Sequence, residues 1–360
     1  MGEVSDVVDD DTTVVDDDDD DDDDDPSDGD DPSDGDNKGD DAVFFRAARD
    51  IQNRTSRIVG TAEMEDRRFR ELFGARMEIV VHIWVMMEED DLLPPKSKPK
   101  HLLWTLYFLK VYPRQAPGCS AVGGSGGAVD PKTLRKWVWL FIERIGELAD
   151  DVVSVVDCCV LSSITVSPCR PLARQIVFES RLDVAHDVGN DCLMSIDGTD
   201  FRVEQQGPAV RGNPFGSHKY AGHSALRYEV GINILAGNLV WVGGPYPAGA
   251  WPDIKIFYNE LTHLLEPGER VEADNGYVGH PENIKCPLND CNPAEKLAMQ
   301  ARVRSRHETF NGRLKFWGIL GQVFRHDIRR HGSVFWACAV ISQLAIYNGE
   351  PLFEVEYGDD

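Results

Sequence analysis

The sequence has 360 residues, and 42% of them are hydrophobic, which allows two or three domains with ordinary cores. Its formal net charge is −25, but residues 1–41 hold 22 acidic residues and one lysine and so account for −21 of it. The remaining net charge of −4 excludes no polyanionic partner. No window reaches the ~18 apolar residues of a membrane span, and the eight cysteines form no CxxC pair. We therefore expect a soluble, intracellular protein with reduced thiols and no membrane partner.

The chain begins with an acidic segment, residues 1–41, which includes an unbroken aspartate run, Asp16–Asp25. Such a segment cannot bury enough apolar surface to offset the entropy of ordering it, so we predict that it is disordered. It is either a solvated leader or an intramolecular DNA mimic that competes for a basic groove. The sequence leaves both interpretations open.

Residues 42–149 are predicted to form a helical unit. Apolar residues share one face of a helix over His101–Tyr112, and a Gly-rich loop follows at Gly118–Gly127. Asp130 as N-cap and Pro131 at the first helical position then predict the start of another helix.

Two helices with a turn between them, and basic residues at the front of the second, are typical of a helix-turn-helix. That interpretation predicts DNA contacts from Lys132, Arg135 and Lys136. The alternative is an ordinary helical hairpin with a solvated basic end, and the Gly-rich loop is longer than the usual turn of three or four residues. The residues alone do not separate the two.

Residues 150–186 show no clear period, and we treat them as a connector or insert. From Asp191 onward the order is strand, hairpin, helix, strand and then helices. This is the α/β order of an RNase H-like core, a mixed sheet with flanking helices, and it assigns residues 187–348 to one domain before a tail at 349–360. The predicted strands are Cys192–Ile196, Arg227–Leu235, Leu239–Val242 and Val271–Ala273, and the predicted helices are Asp253–Leu265, Glu295–Leu320 and Ser333–Tyr347.

Three acidic residues stand at suggestive places in this core. Asp197 closes the first strand, Asp274 closes the last strand, and Glu308 lies inside the basic helix. Ligands bind at strand ends of an open α/β sheet, and carboxylates on neighbouring strands can share one hard cation. The pattern predicts a site for Mg²⁺ or Mn²⁺, and two such ions can stabilise both oxygens of a phosphodiester displacement. The alternative is that each aspartate only caps a turn.

The helix that carries Glu308 is rich in cations. Arg304 and Lys315 lie near the face of Glu308, and Arg306 and Arg313 add charge around it. Arginines and lysines of this kind bind phosphate backbones, so we predict that these four contact DNA. An ion pair with Glu308 would explain one of these four basic residues but not the other three.

Four segments in combination resemble the DDE endonuclease domain of PIF/Harbinger-like transposases. The resemblance covers roughly residues 187–348, with a weaker similarity to a helix-turn-helix over 100–146. The segments are Ile196–Asp200, the Gly244–Gly249 run followed by Asp253, Ala273–Tyr277, and Arg304-x-x-x-Glu308 with Lys315 seven residues further on.

The resemblance implies roles for particular residues. Asp197, Asp274 and Glu308 would form a catalytic, metal-binding triad, and Asp253 would be a further metal ligand. Asp200 stands where the family often has histidine, which makes it a rival of Asp197 for the first ligand.

The implied function is that of a metal-dependent DNA endonuclease or transposase, which cleaves and then joins DNA phosphodiester bonds with two Mg²⁺ or Mn²⁺ ions. The implied partners are DNA, further copies of the chain in a homo-oligomer, and a separate DNA-binding protein. The expected location is the nucleus in a eukaryote and otherwise the cytoplasm. Two alternatives remain: a domesticated transposase relative that binds DNA without cleaving it, and an RNase H-like enzyme that acts on RNA or a hybrid.

Overall fold

The first part of the fold consists of helices built from apolar residues at helical spacing. The computed structural model describes residues 38–52, 62–149, 192–204, 212–234, 237–293 and 295–350, all within the compact unit Asn37–Asp360. The acidic residues up to 37 and the connector at 150–186 lie outside the described residues. The helices are α1 (Lys38–Ile51), α2 (Ala62–Phe73), α3 (Met77–Glu89), α4 (Pro99–Val111), α5 (Gln115–Val122) and α6 (Pro131–Glu147).

The start of α6 confirms the prediction from sequence. The carboxylate of Asp130 accepts hydrogen bonds from the backbone N–H groups of Lys132 (2.8 Å) and Thr133 (2.9 Å), and Pro131 occupies the first helical position. The apolar face of α6 that follows is buried, which fixes the orientation of its basic first turns.

The helix α5 occupies much of the segment that was predicted to be a Gly-rich loop, so that prediction was wrong up to Val122. Cys119 and Val122 are buried, and the indole of Trp104 donates a hydrogen bond to the carbonyl of Val122 (3.1 Å). This packing outweighs the cost of about 1 kcal/mol that a glycine such as Gly118 adds to a helix.

The second part of the fold is a five-stranded mixed sheet in the order β3-β2-β1-β4-β5. The strand β1 lies antiparallel to β2 and parallel to β4, β2 lies antiparallel to β3, and β4 lies parallel to β5. Together with the helices around it, this sheet confirms a mixed α/β fold. The strands are β1 (Cys192–Arg202), β2 (Ala225–Asn233), β3 (Leu239–Pro247), β4 (Arg270–Ala273) and β5 (Ile284–Lys285).

Helices follow β3 and β5 along the chain. After β3, α7 (Asp253–Ile256) continues as a π-helical turn, Phe257–Leu261, and a 3₁₀ turn, Thr262–Leu264, which agrees with the predicted helix. After β5 come α8 (Pro287–Asp290), α9 (Glu295–Phe316), α10 (Gly318–Gly321) and α11 (His331–Tyr347). None of the helices in the described ranges is both long and apolar enough to span a membrane.

The core joins the helical part to the sheet through α11. The ring of Tyr228 on β2 stacks on Phe335 of α11 at 4.0 Å, and its hydroxyl hydrogen-bonds to Nδ1 of His331 (2.8 Å). On its other side α11 packs against α6, and the buried residues of both belong to one hydrophobic cluster. The sheet that carries the predicted acids is therefore held rigidly against the predicted DNA-binding helix.

Candidate metal and nucleic-acid site

The register of the sheet brings two of the predicted acids onto neighbouring strands. The strand β1 continues through Asp197 to Arg202, which corrects the prediction that Asp197 closes it, whereas Asp274 does follow the last residue of β4. Ala273, the last residue of β4, pairs with Ile196 of β1, so Asp274 and Asp197 follow the paired residues on adjacent parallel strands. From Asp197 onward β1 pairs with β2 only. The edge of β1 that β4 leaves uncovered is where the acids converge.

A turn fixes Asp274 at this edge. Its Oδ1 accepts a hydrogen bond from the N–H of Gly276 (2.7 Å), as the cap of the turn Asn275–Tyr277. The turn-capping role considered from sequence is therefore real, but it uses one carboxylate oxygen and leaves the second available to another partner.

Asp253 reaches the same strand because residue 198 is a glycine. The Asp253 carboxylate occupies the space into which a Cβ atom at Gly198 would project. On its other side, Asp253 Oδ1 forms an ion pair with Nη1 of Arg227 (3.1 Å). In the Asp197–Gly198 pair of β1, Asp197 supplies one carboxylate, and the glycine leaves room for the carboxylate of Asp253.

The three aspartates interact electrostatically. Burial raises the pKa of Asp197 to about 6, and the negative charges of Asp274 and Asp253 add to the rise, while Lys219 opposes it. Burial also raises the pKa of Asp253, where Asp274 is among the charges that add to it. Mutual repulsion of this kind is what a bound cation relieves.

Asp200, the rival first ligand, is committed to other partners. Its carboxylate accepts hydrogen bonds from Nε (2.7 Å) and Nη2 (3.0 Å) of Arg227 and from the hydroxyl of Ser217 (2.5 Å), and it is fully buried. Burial would raise the pKa of Asp200, but these hydrogen bonds outweigh it and hold the pKa below its usual value. The geometry favours Asp197 over Asp200 as the residue available to a metal.

Lys219 belongs to the site and was missed from the sequence. Its Nζ donates a hydrogen bond to the carbonyl of Gly198 (2.5 Å), and its charge acts on both Asp197 and Asp253. The segment that carries it is tied to β1 by two further hydrogen bonds, from Ser217 to the Asp200 carboxylate and from the Tyr220 hydroxyl to the Asp200 carbonyl (3.1 Å). The only sequence signal was a lone lysine in a polar connection between strands.

Glu229 is a fourth acid that sequence reasoning missed. It pairs with Gly198 across the β1–β2 ladder and is fully buried. Burial raises the pKa of Glu229 well above its usual value, and the charge of Asp253 adds to the rise. A carboxyl group in this environment favours its neutral form, so it borders the aspartates without adding a full charge.

The long helix α9 lies beside β1, and some of its charged and polar residues are buried while others are exposed. His307 is buried and hydrogen-bonds through Nε2 to the hydroxyl of Ser195 (3.0 Å), whereas Glu308 and Arg304 are exposed. Arg306 is also buried, with Nη1 at 2.5 Å from Glu272. This corrects the expectation that Arg306 contacts DNA, because its guanidinium holds the helix to β4 instead.

Lys315 and Arg313, the two other basic residues predicted to contact DNA near the end of α9, have different surroundings. Lys315 lies close to the acids: burial and then Lys219 lower its pKa, while Asp200 and Asp197 act in the opposite direction. Arg313 points elsewhere and contacts Glu350 at 3.3 Å. The charges of Lys219, Asp200 and Asp197 thus act on Lys315, whereas Arg313 is partly exposed and forms an ion pair with Glu350, and its predicted contact with DNA stays a prediction.

The donor set fits a hard divalent cation in kind, because the charges of Asp274 and Asp253 act on Asp197 and the Asp253 carboxylate lies where a Cβ atom of Gly198 is absent. In the part of the chain that the structure describes, no contact joins Glu308 to the three aspartates, and no three acidic, histidine or cysteine side chains are spaced to hold one ion. Asp197, Asp253 and Asp274 are the described residues that would hold the metal. Lys132, Arg135 and Lys136 are exposed on α6.

Comparisons with protein-family models, with curated proteins and with solved structures find no match for this chain.

Proposed function

We propose that the protein is a divalent-metal-dependent DNA endonuclease with an RNase H-like core, of the DDE transposase class. The observation that supports this most is that Asp197 and Asp274 follow paired residues of adjacent parallel strands and that the charges of Asp253 and Asp274 act on Asp197. Such a set is suited to a hard cation and to the displacement of a phosphodiester oxygen.

Asp197, Asp253 and Asp274 would hold Mg²⁺ or Mn²⁺, and two ions are proposed. When bound, the metal would supply an activated water and stabilise charge on the leaving oxygen. The protein's own part is to orient the carboxylates. Arg227 fixes Asp253, and the turn after β4 fixes Asp274. Glu308 is proposed as the third member of the triad, from the exposed side of α9.

Cations beside the acids would position the DNA backbone. Lys219 and Lys315 interact with each other and with Asp197, so their ammonium groups lie at the rim of the carboxylate set. Arg304 is exposed on α9, one turn before Glu308. A phosphate that entered between these groups would reduce their repulsion while it met the metal.

Nicking of supercoiled plasmid DNA tests this proposal. With Mg²⁺ or Mn²⁺ the purified full-length chain should convert supercoiled DNA to nicked circles, and EDTA should stop the reaction. Duplex DNA should be cleaved faster than an RNA–DNA hybrid of the same sequence. Preferential cleavage of the hybrid would instead support an RNase H-like enzyme.

A second candidate is a transposase relative that binds DNA without cleaving it. It is favoured by the position of Glu308, whose exposed side chain has no contact with the aspartates in the described residues. DNA binding without metal-dependent nicking, at any concentration of Mn²⁺, would select this candidate. Its proposed partners are the same: DNA, a homo-oligomer and a separate DNA-binding protein. The proposed location is the nucleus, or the cytoplasm if the source is not eukaryotic.

A further inference from the structure

Outside the acid site, one surface cluster combines residues from two distant parts of the sequence. Arg135 lies on α6, and Arg330 ends the 3₁₀ turn that precedes α11. The charges of Arg135, Arg325 and Arg330 all act on the imidazole of His326. We call these four residues the arginine patch.

Aromatic rings hold the arginine patch in place. The guanidinium of Arg330 lies 4.6 Å from the ring centre of Trp139, and the His326 ring lies 5.2 Å from the same indole. Trp139 is four residues after Arg135, so both project from one side of α6. Stacking of this kind leaves the N–H edge of an arginine free to meet a phosphate while its side chain is already ordered.

Arg325 is anchored more firmly than the others. Its Nη2 donates a hydrogen bond to the carbonyl of Tyr112 (2.6 Å), and its guanidinium lies 4.2 Å from the centre of the Tyr112 ring. It therefore supplies a fixed positive charge behind the exposed Arg135 and Arg330.

The positive charge of the arginine patch is not neutralised nearby. Among the described residues, no ion pair involves Arg135 or Arg330. The adjacent acid, Asp327, is bound to Arg329 (2.5 Å). The charge of Arg330 also acts on Asp327, but no ion pair holds either exposed arginine, and this surplus of positive charge favours an anionic partner.

We propose that the arginine patch binds the phosphate backbone of duplex DNA and so joins α6 to the C-terminal part of the chain in one DNA-binding surface. The choice of DNA over another polyanion rests on the proposed function. The contacts would be to phosphates and would not depend on sequence, because guanidinium groups held in this way position a duplex rather than read its bases.

The patch is also connected to the acid site. Phe324, next to Arg325, pairs with Val203 just beyond the end of β1, and its N–H donates a hydrogen bond to the Arg202 carbonyl (2.8 Å). Val203 is six residues after Asp197, and six residues of strand span about 20 Å. This length of strand corresponds to about six base pairs of a duplex, and it links the backbone next to Arg325 to the strand that carries Asp197.

The salt dependence of DNA binding tests the proposal without any cleavage. Binding of the full-length protein to a fluorescent 30-base-pair duplex is measured by anisotropy in EDTA over a series of salt concentrations. The double variant Arg135→Gln/Arg330→Gln should lower the slope of log K against log salt by about 1.8 and weaken binding at least about tenfold at 0.1 M salt. Arg330→Lys should keep most of the slope, because the charge remains.

The matched control is Arg68→Gln/Arg144→Gln, which removes the same charge from two arginines that each pair with a glutamate on their own helix. Its slope should equal that of the wild type. An unchanged slope in the Arg135/Arg330 variant, or an equal fall in the control, would overturn the inference. Should that variant melt at a lower temperature, the exposed Arg135→Gln alone should still lower the slope by about 0.9. If the wild type binds DNA but does not nick it, the proposed nuclease activity is contradicted, whereas the salt dependence still tests DNA binding by the arginine patch.

Discussion

The carboxylate of Asp253 lies against the backbone of Gly198, in the space that a side chain at position 198 would need. The Asp-Gly pair within the first strand therefore meets two requirements. Asp197 supplies a carboxylate, and Gly198 admits a second carboxylate from a helix that follows β3.

Gly198→Ala should separate these two carboxylates. The added methyl group collides with Asp253, so we expect a loss of stability of about 1–3 kcal/mol and a fall in nicking rate of about 100-fold. Chemical denaturation and plasmid nicking measure the two effects. Gly126→Ala is the control, because a Cβ atom there meets no atom within 4 Å. Nicking by Gly198→Ala at the wild-type rate would show that the position of Asp253 does not matter.

Asp197→Asn and Asp200→Asn should change stability in opposite directions. Burial and like charges raise the pKa of Asp197, so its neutralisation should stabilise the fold by about 1–2 kcal/mol after allowance for partial exposure. Asp200 is the buried partner of Arg227, and its neutralisation should cost about 3–5 kcal/mol. Urea denaturation at pH 7.5 compares the two variants. If both substitutions changed the free energy of unfolding in the same direction, Asp197 would not be destabilised by its surroundings while Asp200 is stabilised by Arg227.

Lys219→Met should raise the affinity of the site for Mn²⁺. The lysine is a positive charge beside Asp197 and Asp253, so it competes with a divalent ion for the same carboxylates. We expect a several-fold lower dissociation constant, measured as free Mn²⁺ by electron paramagnetic resonance, together with slower nicking because a phosphate contact is lost. Lys100→Met on α4 removes the same charge away from the acids and should change neither quantity. Weaker Mn²⁺ binding by Lys219→Met would contradict this role.

The stability of the protein should fall as the pH is lowered below 6.5. Burial lowers the pKa of His101 to about 3, with Lys100 and Lys98 adding to the effect. Between pH 6.5 and 3 the unfolded chain therefore binds a proton at His101 that the folded chain does not, and this residue alone lowers stability by up to about 1.4 kcal/mol per pH unit. His307 and His331, whose pKa values burial also lowers to about 3, act in the same direction. His101→Gln should reduce this slope, measured by urea denaturation at pH 7 and pH 5. The control is His82→Gln, which removes an exposed histidine. An unchanged slope in His101→Gln would contradict a neutral, buried imidazole.

The order of the elements could be predicted from sequence because apolar periodicity and local caps determine it. The Asp130 cap and the apolar run predicted to form a strand over Arg227–Leu235 are local signals, and the structure has both the cap and a strand there, Ala225–Asn233. The helix α5 was missed because its stability comes from contacts with α4, which Trp104 makes across the fold. The glycines of this segment predict a loop, and the sequence does not show that packing against α4 offsets their cost in a helix.

The candidate site divides in the same way. Asp274 could be placed from sequence because the end of β4 is visible in the pattern. Asp197 was singled out as a strand end, but β1 continues to Arg202, because pairing with β2 extends the strand past Gly198. Lys219 and Glu229 could not, because the first reaches the site through a folded connection and the second lies on a strand that is buried on both faces. Arg306 was misassigned for the opposite reason: a helical wheel shows charge but not which face meets a buried glutamate.

The most direct test of the metal-dependent site is plasmid nicking by Asp274→Asn. An asparagine at position 274 keeps an oxygen that can accept the hydrogen bond from Gly276, so the turn should persist while the metal-binding charge is lost. With Mn²⁺, the wild type and the exposed-site control Asp90→Asn should nick DNA at equal rates, and Asp274→Asn should lose activity by at least about 100-fold with an unchanged melting temperature. Equal nicking by a folded Asp274→Asn would contradict the central claim that these aspartates form a metal-dependent nuclease site.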